Sequence, residues 1–156
     1  PGKHEDALSE PFIGPAGKLL DNLFLEHGMN TKNWYISNVV KCRPIAEKGS
    51  GSENLTPKEE QVKRCSVYLE EEIRLLKPKI IVTCGAIATQ WFLKQPVKIT
   101  QISGIIINHP DYLIFPLIHP AALLHSQGSD KYLQYKEQIN RDLTTLRKVL
   151  IDNSIN

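Results

Sequence analysis

The sequence contains no apolar run close to the roughly 20 residues that span a bilayer. It also contains no basic segment followed by an apolar stretch of the kind that directs secretion. These absences exclude a membrane-spanning protein, and we expect a cytoplasmic protein with no membrane partner. Cysteine is scarce, with Cys42, Cys65 and Cys84 alone among 156 residues. Three thiols cannot pair off completely, and buried thiols acting as small hydrophobic side chains would explain all of them.

A large excess of charge of one sign is missing too. The 19 Lys and Arg residues nearly balance the 17 Asp and Glu residues, which leaves a formal net charge of +2. So small a total neither indicates nor excludes a nucleic-acid partner, because a local basic patch matters more than the sum. With 41% hydrophobic and 23% charged residues, the chain is typical of a soluble globular protein. Its length fits a single domain over residues 1–156.

Hydrophobic periodicity and turn residues divide the chain into alternating helices and strands. The predicted helices are residues 14–27, 57–77, 86–93 and 130–150. The predicted strands are residues 34–40, 79–84 and 112–118. Between the first strand and the second helix, residues 44–56 are predicted to form a loop with residues 49–52 as its flexible Gly-Ser tip.

This alternation predicts an α/β fold, a three-layer α/β/α sandwich around a mostly parallel sheet. In such sheets ligands bind beyond the carboxyl ends of the strands. Residues 38–43 and 119–123 both lie where predicted strands give way to loops. The sequence therefore places them on one rim of the sheet.

Three stretches stand out from generic α/β sequence. The first joins PGKHED at residues 1–6 to PFIGPAGKLL at residues 11–20, the second is SNVVKCRP at residues 37–44, and the third is HPAALL at residues 119–124. In order and in rough spacing they resemble the iron–sulfur-containing family-four uracil-DNA glycosylases. The resemblance covers nearly the whole chain. It implies a central, mostly parallel four-stranded sheet and the excision of uracil from DNA in base excision repair.

The resemblance implies three residues for uracil binding. Asn38 matches an asparagine whose amide offers one donor and one acceptor, which suits uracil O4 and N3–H. From spacing alone, an Asn at a strand end or turn is the commoner case. Phe12 matches a phenylalanine on which the flipped base stacks, although a lone Phe beside a helix is otherwise a core residue. Gly2 matches a small residue that lets the base approach closely.

The resemblance also implies a catalytic role for His119. Cleavage of the N-glycosidic bond leaves negative charge on the departing uracil, and a donor aimed at uracil O2 stabilises that charge in the transition state. A neutral imidazole suffices if its protonated nitrogen points at O2. A loop histidine without catalytic duty is the alternative for any single His, but Pro120 and the short helix expected after it argue against that here.

Glu5 and Asp6 match the acidic pair of the first motif, and a solvated acidic pair explains them equally well. The family's glutamate that helps orient the attacking water stands just before the Pro-Gly of that motif. This chain begins at that Pro-Gly without an initiator Met. We therefore expect an N-terminally truncated domain, without the glutamate and without one central strand.

Cys42 and Cys65 match two of the four cysteines that hold a 4Fe–4S cluster in the family. The other two ligands are expected upstream of residue 1, so a cluster requires that upstream pair. Cys84 matches no ligand position. Two further departures are Ser103, where the family usually has arginine, and His125, where an arginine often follows the third motif. Both remove a positive charge near the expected DNA track.

The sequence thus predicts a monofunctional uracil-DNA glycosylase that binds uracil-containing DNA as a monomer. One alternative is a non-catalytic relative that binds uracil-containing DNA but lacks the water-activating acid. Another is a small redox or metal protein that uses Cys42 and Cys65, which leaves Asn38 and Phe12 without a role.

Overall fold

The computed structural model describes residues 1–48 and 51–155. Its helices are α1 (Lys3–Leu8), α2 (Pro15–Glu26), α3 (Glu59–Leu76), α4 (Ala86–Leu93), α5 (Ile99–Ile102), α6 (Ala121–Ser126) and α7 (Asp130–Asp152). Its strands are β1 (Ile45–Lys48), β2 (Gly51–Asn54), β3 (Ile80–Cys84), β4 (Ile107–Asn108) and β5 (Leu113–Leu117). The fold is therefore mixed α/β, as the alternating pattern predicts.

The main sheet has the strand order β3-β5-β4. Strands β3 and β5 run parallel, with Ile80 opposite Leu113 and Cys84 opposite Leu117. The two-residue β4 pairs antiparallel with β5. Within residues 1–48 and 51–155 the main sheet thus has three strands, where a mostly parallel four-stranded sheet was expected.

The strand predicted over residues 34–40 is wrong. The segment has no regular secondary structure, and Tyr35 and Ile36 are exposed. Its aromatic and β-branched residues favour a strand only where a neighbouring strand supplies hydrogen bonds and packing. In the described chain β3 pairs with β5 alone, and a cavity lies between the outer edge of β3 and residues 33–39.

The predicted loop over residues 44–56 is wrong in part, because β1 and β2 pair there as an antiparallel hairpin. Ile45 lies opposite Asn54, and the Leu55 N–H donates to the Pro44 carbonyl at 2.9 Å to close its base. Of the predicted flexible tip, Gly49 and Ser50 lie outside the described residues.

The predicted helices are confirmed to within a few residues. Helix α2 begins with Pro15 in its first turn, and α4 follows the turn at Gly85. Helix α3 begins later than the capping pattern predicts, since Lys58 is its N-cap and the Gln61 side chain accepts a hydrogen bond from the Lys58 N–H at 2.8 Å.

The core lies where α2, α6 and α7 pack around the end of β5. Phe115 and Leu117 of β5 and Leu143 and Leu146 of α7 are fully buried. Phe24 of α2 joins the same cluster. Since β5 leads straight into His119, this core fixes the point at which the third motif begins. No helix among the described residues is long and apolar enough to cross a membrane.

Leu143→Ala tests this core. Leu143 is 0% exposed, so its truncation leaves a cavity, and we expect the free energy of unfolding to fall by roughly 2–5 kcal/mol. Leu133→Ala, in the same helix but 63% exposed, is the matched control and should change it by less than about 0.5 kcal/mol. Urea unfolding followed by circular dichroism measures both, and equal losses would contradict the packing described.

Candidate active site

One cavity of about 460 Å³ is lined by residues from all three motifs. Phe12 reaches it from the loop before α2, Asn38 from the irregular segment over residues 34–40, and His119 from the end of β5. The Phe12 and His119 rings lie 6.0 Å apart between centroids, tilted by 31°. Phe12 and His119 therefore lie close together, and Asn38 lines the same cavity, which extends along the whole of β3.

Phe12 is held in an uncommon backbone conformation. Its φ of 58° lies in the left-handed region, which costs a non-glycine residue roughly 1–3 kcal/mol. A Cβ on Gly17 would lie 1.5 Å from the Phe12 carbonyl oxygen, so only glycine allows α2 to approach this loop so closely. The Gly14 N–H donates to Glu5 Oε1 at 2.8 Å and holds the other side of the loop. Such strain in a cavity-lining aromatic residue is typical of a functional position.

Side chains on either side of Asn38 tie its segment to α3. Lys41 Nζ lies 2.7 Å from Glu72 Oε1, and Ser37 Oγ donates to Glu72 Oε2 at 2.8 Å. Tyr35 also hydrogen-bonds to Glu72. Burial raises the pKa of Glu72, but the hydrogen bonds from Lys41 and Ser37 outweigh it and lower the pKa below the usual value. An ionised Glu72 thus holds this segment against α3 through side-chain contacts, in place of the backbone hydrogen bonds that a neighbouring strand would supply.

The hydrogen bonding of His119 defines its tautomer. The Ala121 N–H donates to His119 Nδ1 at 3.1 Å, so Nδ1 is an acceptor and carries no proton. In the neutral ring the proton therefore lies on Nε2. The geometry at the start of α6 thus leaves Nε2–H as the hydrogen-bond donor of the neutral His119 ring.

The imidazole is held in the neutral state. Burial lowers the pKa of His119 below 6.5, His125 acts in the same direction, and Glu5 opposes this shift. At neutral pH the site therefore presents an uncharged hydrogen-bond donor rather than an imidazolium.

The first motif also contains the predicted site residues Gly2, Glu5 and Asp6. Gly2 is not among the residues lining the cavity, and a Cβ there would lie 2.5 Å from Glu5 Oε2. Burial raises the pKa of Glu5, but backbone N–H groups of Glu5, Gly14 and Gly2 outweigh it and lower the pKa. Asp6 is exposed on α1. Glu5 is thus an ionised carboxylate that holds backbone N–H groups around the first motif.

Comparison with known sequences decides the family. Residues 1–144 match the sequence model of the Uracil DNA glycosylase superfamily. The chain belongs to this superfamily. It is 34% identical to a type-4 uracil-DNA glycosylase of Sulfurisphaera tokodaii, over 97% of this chain and 70% of that protein. It is also 34% identical to a type-4 uracil-DNA glycosylase of Thermotoga maritima, over 95% of this chain and 74% of that protein. These similarities place it in the type-4 group.

The three cysteines of this uracil-DNA glycosylase domain are free thiols. Cys65 Sγ accepts a hydrogen bond from the Lys41 N–H at 3.4 Å, which places Cys65 beside the neighbour of the exposed Cys42. Burial raises the pKa of Cys84 to about 12, so that thiol is a hydrophobic strand residue. No group of three or more His, Cys, Asp or Glu side chains that could hold a metal ion occurs in residues 1–48 and 51–155. Two thiols by themselves do not fit a cubane cluster, which needs four.

Sequence reasoning missed two residues of this site. Gly85 has a φ of 90°, and a Cβ there would lie 3.1 Å from His119 Cβ, so the β3–α4 turn packs directly on the imidazole. A glycine between a buried strand and a helix signals a turn, but not which side chain it contacts. Glu72 is one of three consecutive glutamates in α3, and nothing in that run distinguishes it from a solvated charge.

The buried neutral His119 predicts a pH dependence of stability. Because its pKa in the folded protein is below 6.5, the unfolded chain takes up the proton first as the pH falls. The free energy of unfolding should therefore drop as the pH falls below about 6.5. His119→Gln removes this titration and should flatten that part of the curve, as measured by urea unfolding between pH 8 and 5. Parallel curves for the two proteins would show that the imidazole is not desolvated.

Proposed function

We propose that this protein hydrolyses the N-glycosidic bond of uracil in DNA, releasing free uracil and leaving an abasic site. The observation that carries the proposal is the shared cavity of Phe12, Asn38 and His119. The names of the type-4 relatives support it. A base inside a duplex cannot reach a cavity of this kind, so the uracil must be flipped out of the stack before it is cut.

Recognition follows from the chemistry of two side chains. The Asn38 amide pairs with the uracil edge, with its N–H₂ donating to O4 and its carbonyl accepting from N3–H. Cytosine reverses the donor and acceptor pattern at these two positions and leaves the amide unsatisfied. Phe12 offers its ring face to the flipped base, and base–aromatic stacking is worth about 1–3 kcal/mol. The loop contacts at Gly17 and Gly14 hold this ring in place before the base arrives.

His119 supplies the electrostatic part of catalysis. As the bond between C1′ and N1 breaks, its electrons move onto the uracil ring and O2 gains negative charge. The Nε2–H of the neutral imidazole donates to O2 and stabilises this charge more strongly in the transition state than in the substrate. Water adds its oxygen to C1′, and its released proton balances the charge on the departing uracil. One donor of this kind is worth roughly a factor of 10² to 10³ in rate.

The reaction stops at hydrolysis. The described residues that line the cavity include one lysine, Lys79, which directly precedes the amino end of β3. His119 follows the carboxyl end of β5, which runs parallel to β3. The two residues therefore lie at opposite ends of the sheet. No lysine of the cavity is thus placed at the sugar for Schiff-base chemistry.

The contacts of the acidic side chains near the cavity support a second candidate function. Acidic side chains near the site are already engaged, Glu5 by Gly14, Asp21 by Thr31 and Glu72 by Lys41. Each of these carboxylates thus has a structural contact in the described chain, and none of these contacts places it as a base for water. A protein that binds uracil-containing DNA without cutting it is therefore the alternative that the assay must separate.

No step of the proposed reaction needs an iron–sulfur cluster. Cys42 and Cys65 supply two thiolates, and a 4Fe–4S cluster on them needs two more from outside residues 1–156. Iron and sulfide analysis of the purified protein tests this ligand count independently of activity.

The assay uses an oligonucleotide with one uracil. Hydrolysis leaves an abasic site that alkali converts to a strand break, whereas the matched thymine oligonucleotide should stay intact. Binding to the uracil strand without alkali-dependent cleavage would favour the non-catalytic alternative. A protein that neither binds nor cleaves the uracil oligonucleotide would contradict the proposal.

His119→Gln should lower the single-turnover rate of uracil excision by roughly 10² to 10³, because the donor to O2 is misplaced. The dissociation constant for uracil-containing DNA should stay within about threefold of the wild type. Single-turnover kinetics and fluorescence anisotropy separate the two quantities. A loss confined to binding would contradict the assigned role.

Glu72→Gln should weaken uracil-DNA binding by roughly tenfold. It removes the ionised acceptor that ties Lys41 and Ser37 to α3, and hydrogen bonds to charged groups are worth about 1.5–3 kcal/mol. Asn38 then loses its fixed position. Glu71→Gln, at the adjacent position and paired with the exposed Arg74, is the matched control and should bind like the wild type. Equal effects in anisotropy titrations would rule out a role for Glu72 in placing Asn38.

A further inference from the structure

Helix α7 buries a carboxylate that the proposed mechanism does not use. Asp142 is 4% exposed. Its Oδ1 accepts a hydrogen bond from Gln138 Nε2 at 2.8 Å, and its Oδ2 accepts one from the Ser103 hydroxyl. Among the described residues, no lysine or arginine hydrogen-bonds to it. Burial raises the pKa of Asp142, and the bonds from Ser103 and Gln138 act against that rise.

Ser103 links this carboxylate to the strand that carries the catalytic histidine. While its hydroxyl donates to Asp142, its oxygen accepts from the Ile118 N–H at 3.1 Å. The neighbouring Gly104 N–H donates to the Pro116 carbonyl at 2.9 Å. Residues 103 and 104 therefore hold the end of β5 through two backbone groups.

Gly104 leaves the space that this arrangement requires. Its φ is 78°, and a Cβ there would lie 2.2 Å from Asp142 Oδ1. Any larger residue would push the carboxylate away from Ser103. The Ser-Gly pair thus combines a hydroxyl that reaches Ile118 with a gap that admits Asp142.

His119 is the residue that directly follows this anchored position. On its other side, the Gly85 N–H donates to the Leu117 carbonyl at 2.8 Å. The backbone just before His119 is thus fixed by Gly85 at Leu117 and by Ser103 at Ile118. Small errors in this backbone move the imidazole, and a misplacement of about 1 Å can cost a factor of 10² in rate.

We infer that Asp142 is a positioning residue for catalysis, which acts through Ser103 and Ile118 to fix His119. The inference rests on the proposed function of His119. A buried carboxyl group is costly to keep even with the charge of Arg141 nearby, and an apolar side chain of similar size commonly stabilises a core better. Packing alone therefore does not explain an acid here, whereas a fixed acceptor for the Ser103 hydroxyl does.

Asp142→Ala removes the acceptor, and Asp142→Asn keeps one. We expect Asp142→Ala to slow single-turnover excision by about tenfold or more, with the dissociation constant for uracil-containing DNA within about threefold of the wild type. Asp142→Asn should restore the rate to within about threefold, because its amide oxygen accepts from Ser103. Asp142→Leu, which is similar in shape but has no acceptor, should stay as slow as Asp142→Ala, a result that mere loss of packing does not produce.

Val149→Ala is the matched control, since it truncates a buried residue of α7 seven positions beyond Asp142 whose side chain has no hydrogen-bonding group to join the Ser103 link. It should lower stability and leave the excision rate unchanged at a temperature where all variants are folded. A folded Asp142→Ala protein with the wild-type rate would overturn the inference. If Asp142→Ala does not fold, Ser103→Ala decides, because it breaks the same link and should slow excision similarly. An unchanged rate there would overturn the inference too.

A measurement without turnover separates this inference from the proposed function. The imidazole resonances of His119, assigned by their loss in His119→Gln, should shift in Asp142→Ala and stay in place in Val149→Ala. If the wild type does not excise uracil, the proposed function fails, and these resonances still decide whether Asp142 positions His119. Unshifted resonances in Asp142→Ala would overturn the inference.

Discussion

The hydrogen bond from the Gly85 N–H to the Leu117 carbonyl is the contact on which the site depends. It lies at the carboxyl end of the parallel pair β3 and β5, where the strands have just ended. Because Gly85 has no side chain, the turn after β3 lies directly against His119. Phe115 of β5 and Leu143 of α7 belong to the same buried core, which holds β5 in place. The position of the imidazole is therefore set by backbone contacts, by core packing and by the buried link from Ser103 to Ile118.

The electrostatics of the site are those of a donor, not of a cation. Burial keeps His119 neutral, and the Ala121 N–H leaves its proton on Nε2. Glu5 is ionised, but its carboxylate accepts hydrogen bonds from backbone N–H groups of the first motif. A neutral donor of this kind interacts weakly with the uncharged substrate and strongly with a developing anion. This difference is what transition-state stabilisation requires.

Local sequence patterns predict the elements that are held by their own hydrophobic faces. Helices α2, α4 and α7 and strands β3 and β5 agree with the periodicity, and α7 buries the expected stripe that includes Ile139 and Leu146. Residues 34–40 do not form the predicted strand, because strand-forming side chains need a neighbouring strand that no local pattern can supply. The motif residues Phe12, Asn38 and His119 can be found from sequence because each belongs to a run of distinctive residues. Glu72 and Asp142 cannot, because their importance comes from contacts made across 31 and 39 positions of chain.

The outer edge of β3 has a consequence beyond the site. Its backbone groups pair with no described strand, and Ile81 and Val82 lie beside the cavity along it. An open strand edge with apolar walls is the position at which a further strand pairs, and one strand there would bring the main sheet from three strands to four.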